Sequence, residues 1–126
     1  MKGTLYTSYF SKIKQGKGIK LSVARYNPKW LKEGDIEGTL INLAPSKALL
    51  NKYKYKGLTW DEYTQEYYKQ LSNYNRDIQA DLYALETLLN TGEDVTIYCY
   101  EKSADNCHRH LLAKLFKDKG FEVEEI

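Results

Sequence analysis

Residues 99–110, CYEKSADNCHRH, contain both cysteines and both histidines of the chain, together with carboxylates and a guanidinium. Side chains of these types attack, move protons or hold charged ligands, so this is where chemistry is expected. Cys107, His108 and Arg109 follow one another at what reads as the start of a helix, where unpaired N–H groups and the helix dipole favour negative charge. There a thiol shifts toward thiolate, which makes Cys107 a candidate nucleophile. Glu101 and His108 are the candidate acid and base beside it, the arrangement of a transferase or hydrolase. The same residues also admit plainer roles: a small inert buried cysteine, and a histidine satisfied by a backbone carbonyl. Arg109 suits a two-pronged contact to phosphate or carboxylate, or an ion pair with Glu101 across the loop.

Other chemistries lack their signatures. Cys99, Cys107, His108 and His110 fit no standard zinc spacing, and at roughly 100° per helical residue His110 points almost opposite to His108, so no metal is expected. No Gly-x-Gly-x-x-Gly, Walker A or Gly-x-Ser-x-Gly pattern occurs. That removes the usual marks of dinucleotide, P-loop and α/β-hydrolase sites and leaves no cofactor to name.

The chain carries 19 Lys and Arg against 17 Asp and Glu, a net charge of +2. This is too small to imply a nucleic-acid coat or an anionic membrane surface. Lys12, Lys14, Lys17 and Lys20 cluster in sequence and are expected in a solvated loop rather than a phosphate-binding patch. No apolar run approaches the roughly 20 residues of a membrane span, and no cleavable hydrophobic segment opens the sequence, so a soluble cytoplasmic protein is expected. In that compartment the two cysteines read as free thiols rather than as a disulfide. The 12 tyrosines give the core a wet, aromatic edge, because each hydroxyl must reach water or a partner.

The elements that must position these residues are legible from periodicity. Residues 4–10 and 19–25 alternate like strands, 26–38 reads as irregular, and 39–43 as a further short strand. Ser46 caps a helix running to residue 52, and Thr59 with Glu62 forms a capping box that opens a second helix at Trp60. That helix should turn Trp60, Tyr63, Tyr67, Leu71 and Tyr74 inward. Ile78, Leu82, Leu85 and Leu89 repeat the pattern over 76–90, and Gly92 suits a left-handed exit. Residues 95–100 read as a strand buried on both faces in mid-sheet, 107–119 as a helix closed by Gly120, and 121–126 as an edge strand. Right-handed crossovers then imply a mainly parallel sheet with helices on its faces. The fold expected is one three-layer, Rossmann-like α/β domain over residues 1–126.

Residues 98–112, YCYEKSADNCHRHLL, resemble the signature of the bacterial and phage domain-of-unknown-function family 488: a Cys-x-Glu-Lys strand end, then Cys-His-Arg opening a helix. Ala24, Arg25, Tyr26, Pro28 and Trp30 resemble the Ala-Arg-Tyr-x-Pro-x-Trp segment of one branch, and the likeness continues through Leu43, Ala44, Pro45 and Ser46 to Lys54, Tyr63 and Tyr67. Many relatives carry an acidic residue just before the Arg of the second strand, where this chain has Val23 and Ala24. The resemblance implies a polar pocket in which Arg25, Ser46, Lys54, Glu101, Cys107, His108 and Arg109 meet. Tyr63 and Tyr67 would be hydroxyl donors, stacking surfaces or core.

Three functional expectations follow. The first is a small anionic ligand, a nucleotide or phosphorylated metabolite, held by Arg25, Lys54, Arg109 and the helix N-terminus, with Ser46, Tyr63 and Tyr67 nearby. The second is catalysis by Glu101, Cys107 and His108. The third is an interaction surface of Tyr53, Tyr55, Tyr68 and Tyr83 for single-stranded nucleic acid or a protein partner. The sequence does not indicate an oligomeric state.

Overall fold

The computed structural model describes residues 1–73, 75–100 and 106–126. Five strands, β1 (Thr4–Tyr9), β2 (Ile19–Ser22), β3 (Gly38–Thr39), β4 (Val95–Cys99) and β5 (Glu122–Glu125), form one sheet in the order β3-β2-β4-β1-β5. Every neighbouring pair is parallel. Among the described residues four α-helices accompany it: α1 (Lys47–Tyr55), α2 (Trp60–Ser72), α3 (Arg76–Asn90) and α4 (His108–Asp118). This is the expected three-layer, Rossmann-like α/β fold.

Connection handedness explains the layers. The chain steps one way across the sheet from β1 to β2 and β3, then the opposite way to β4 and on to β5. Right-handed crossovers place these two sets of connections on opposite faces. The four helices therefore share one face, packed on Leu5, Leu21, Val23, Val95 and Ile97. The other face, bearing the alternate residues of each strand, is covered by a 3-10 helix over Phe10–Gln15 and by the segment after β2. There Phe10, Ile13, Leu31 and Ile36 pack around Tyr98. β4 lies mid-sheet, as expected, and every one of its residues is buried.

The helices begin where their caps dictate. Ser46 Oγ accepts from Leu49 N at 3.1 Å, and the Thr59–Glu62 capping box is closed in both directions. In α2, Tyr63, Tyr67 and Leu71 are buried while Trp60 is half-buried; Tyr74 lies outside the described residues. In α3, Ile78, Leu82, Leu85 and Leu89 form the expected buried stripe, each contributing about 1.5–3 kcal/mol through burial. Gly92 leaves α3 at φ 95.

Two stretches depart from the sequence reading. Residues 10–15 form a 3-10 helix rather than an open Lys/Gly-rich connection, because Phe10 and Ile13 are both drawn under the second face. Residues 41–43 also form a 3-10 turn rather than a strand. Pairing stops once Leu40 N has donated to Ser22 O, and Leu43 N and Ala44 N then fold back onto Leu40 O and Ile41 O. Among the described residues no helix is long and apolar enough to cross a membrane.

Candidate functional site

β2 sends its chain to one face of the sheet and β4 to the other, so the polypeptide parts above the carboxyl ends of these two neighbours, where open parallel sheets take their ligands. The gap is a cleft of about 270 Å³. Ala24, Arg25 and Tyr26 after β2, Pro45, and Leu50, Tyr53 and Lys54 of α1 wall one side. Trp60 and Tyr63 of α2, Cys99 and Tyr100 at the end of β4, and Asn106, Cys107 and His108 at the start of α4 complete it. Tyr53, Trp60 and Tyr63 pack ring against ring, with centroids 4.8 to 5.9 Å apart. Arg25 Nε donates to Pro45 O at 2.8 Å, which fixes the guanidinium at the rim. Among the described residues neither Arg25 nor Lys54 has an ion-pair partner, and none that lines the cleft is acidic. The cleft is thus aromatic in its walls and positive at its edge.

His108 opens α4 and is buried. Its Nε2 lies 2.6 Å from Val23 O, just beyond β2. A carbonyl only accepts, so Nε2 carries the proton and Nδ1 of the neutral ring keeps its lone pair. Burial is the main cause that lowers its pKa to about 4, the Val23 bond opposes this, and Arg109 and His110 add to it. The ring is therefore neutral at pH 7. Nδ1 faces Cys107 Sγ at 3.6 Å.

The expectation of free thiols is overturned, because Cys107, the N-cap of α4, is joined to Cys99 by a disulfide. The helix packs back over the strand that precedes it, which brings the two sulfurs together; a compartment argument cannot see that meeting. As a disulfide Cys107 neither ionises nor attacks, so a nucleophilic role belongs only to the dithiol form. Glu101, the carboxylate expected beside it, lies outside the described residues.

Arg109 is one residue further round the helix and points to the opposite flank. It is completely buried and does not line the cleft. Its Nη2 pairs with Glu125 Oε2 at 3.0 Å, its Nη1 donates to Cys99 Sγ at 2.9 Å, and the guanidinium lies over the Tyr9 ring. An acidic partner comes from β5, whose Glu125 lies opposite Thr7 of β1 and accepts from its hydroxyl, while the pairing expected with Glu101 lies outside the described residues. That register is visible only once β5 is placed.

Ser46 is a helix cap rather than a cleft residue, and its N–H donates to Gln70 Oε1 at 2.8 Å. Tyr67 sits behind His108, ring edge to ring face with centroids 5.7 Å apart, and its hydroxyl donates to Leu43 O at 2.5 Å. Burial raises its pKa well above the usual phenol value. Of the four tyrosines expected at the surface, Tyr55 and Tyr83 are exposed. Tyr53 walls the cleft, and Tyr68 donates to Leu111 O at 2.9 Å. Arg25, Lys54, Tyr63, Cys107 and His108 do meet around one cleft. Sequence reasoning missed Tyr53, Tyr100 and Asn106 as its walls and Trp60 as more than a stripe residue; their only signal is proximity to the helix starts and strand ends that frame it.

A parallel α/β domain with an aromatic, cation-rimmed cleft at the point where strand connections diverge is the class that fold and site define. The model of the active DUF488-N3 subclade, DUF488-N3a, matches residues 5–120, and the chain belongs to this family. No curated protein and no solved structure matches the chain.

Proposed function

We propose that the cleft binds a small anionic ligand carrying a planar ring, the chemistry of a mononucleotide, with a phosphorylated metabolite as the simpler variant. The observation that carries this is a pair of cations, Arg25 and Lys54, that have no ion-pair partner among the described residues and line a cleft walled by rings. A guanidinium already fixed by Pro45 O loses little freedom on gripping a phosphate with two parallel bonds. Lys54 adds a point charge, and the start of α4 adds N–H groups at the positive end of a helix dipole. The partly exposed rings of Tyr53 and Trp60 offer faces for a base, backed by the buried ring of Tyr63. At about 270 Å³ the cleft lies near the low end of ligand pockets, roughly 300–1,000 Å³, the size range of small-molecule sites.

Isothermal titration with nucleoside monophosphates, sugar phosphates and inorganic phosphate tests the reading. Affinity should fall in that order, and Arg25→Ala and Lys54→Ala should each weaken the best ligand about tenfold or more, the loss of one charge-assisted bond. No binding by any of the three classes, or affinities indifferent to both substitutions, would refute it.

A further inference from the structure

We infer that the reduced chain holds one zinc-type divalent ion on Cys99 Sγ, Cys107 Sγ and His108 Nδ1, with the fourth coordination position open to the cleft. The three donor atoms lie within 4.8 Å of one another and all three residues are buried. Two thiolates and an imidazole are a donor set that suits zinc, and three protein ligands with one open position characterise sites that bind or activate a further molecule. All three residues also line the cleft, so whatever completes the ion's shell enters from there.

The surroundings are those such a site needs. Ligating histidines almost always donate their second ring N–H to a carbonyl or carboxylate, which fixes the ring and leaves the other nitrogen for the ion. His108 already does so through Nε2 and Val23 O at 2.6 Å. Arg109 Nη1, 2.9 Å from Cys99 Sγ and itself paired with Glu125, supplies the hydrogen bond that stabilises a coordinated thiolate. The donors stand on rigid elements: Cys99 ends β4, Cys107 caps α4 and His108 is its first residue. A divalent ion neutralised by two thiolates adds no net charge to this buried place, which avoids the heavy cost of an unpaired buried charge.

The disulfide is the two-electron oxidised form of the same pair. A dithiol reductant attacks it, becomes a disulfide itself and leaves two protein thiols. Each thiol then releases its proton to solvent as the metal–sulfur bond forms. Chain spacing hides the arrangement because His110, the fourth of the residues in that spacing, faces the Glu125 side, and the set closes on the other three.

Anaerobic cobalt titration of the full chain, reduced with a phosphine that is then removed, tests the site. One equivalent should bring up sulfur-to-cobalt charge-transfer absorption and intense tetrahedral d–d bands, and zinc should bleach both. Cys99→Ser and Cys107→Ser should each lose more than the roughly 10–100-fold in affinity that an outer-shell change costs, His108→Gln should shift the d–d bands, and the oxidised chain should give no signal. Absence of the charge-transfer band in folded chain with both thiols free overturns the inference, as does a band that survives either Cys→Ser change or disulfide formation, or one unmoved by His108→Gln. Intact-mass analysis of iodoacetamide labelling needs no variant: equimolar zinc should protect both thiols, and equal labelling with and without zinc is the contrary result. No nucleotide enters either experiment, so they succeed or fail independently of the anion-binding reading.

Discussion

His108 should make the fold acid-sensitive in a defined window. Its folded pKa is depressed to about 4 against an ordinary 6.5, chiefly by burial, so the folded chain refuses a proton that the unfolded chain accepts. The sign follows: this group costs nothing at pH 7.5, stability is lost as pH falls below 6.5, and the loss levels off below about 4. At roughly 1.4 kcal/mol per tenfold change the full effect is about 3 kcal/mol, of which about 2 kcal/mol accrues between pH 7.5 and pH 5. For a domain of this size that is roughly 8 °C in Tm. Thermal unfolding of the native chain and of His108→Gln at the two pH values isolates it. Glutamine still offers an N–H to Val23 O but does not titrate, and the carboxylates and His110 contribute alike to both proteins. The native chain should lose about 8 °C more than the variant on going to pH 5. Equal losses, or an NMR titration showing the His108 ring protonating near pH 6.5 in the folded chain, would refute the burial argument.

Two further perturbations read the supports around the cleft. Arg109→Gln breaks a pair whose cation is fully buried and whose carboxylate, Glu125, is partly exposed; it should cost about 3 kcal/mol, the low end for a buried pair, in urea denaturation. Tyr67→Phe keeps the ring against His108 but strands the buried Leu43 carbonyl that the hydroxyl serves, so stability should fall by about 1–2 kcal/mol by the same assay, with ligand affinity at the cleft unchanged.

The parts of this structure legible in sequence are those set by local rules. Caps at Ser46 and Thr59, the Leu/Ile stripe of α3 and the doubly buried β4 each follow from residues within a turn or two of one another. So did the cleft's outline, because strand ends and helix starts fix where ligands go in a parallel sheet. The family signature in residues 98–112 agrees with the match over 5–120. What stayed hidden depends on three-dimensional register. Phe10 and Ile13 form a 3-10 helix only because the β1–β2 crossover must cover the second face. Arg109 finds Glu125 only because β5 pairs with β1. The disulfide depends on how α4 returns over β4, which no residue count specifies.

Those hidden contacts share one origin, and it explains why three consecutive site residues have such different fates. The first turn of α4 sits over the carboxyl edge of the sheet, where successive side chains fan out by roughly 100°. Cys107 ties the helix to β4, His108 to the backbone just beyond β2, and Arg109 to β5 and the Tyr9 ring of β1. One turn thus fastens every strand but β3. Because these contacts share a single short backbone segment, releasing one lets the others move, and energies measured by separate substitutions will not add. The same fan decides the electrostatics of the cleft: the only charged residue of the three points away from it and pairs with Glu125, so among the described residues that line the cleft the charged groups are Arg25 and Lys54, while α4 contributes sulfur and a neutral imidazole.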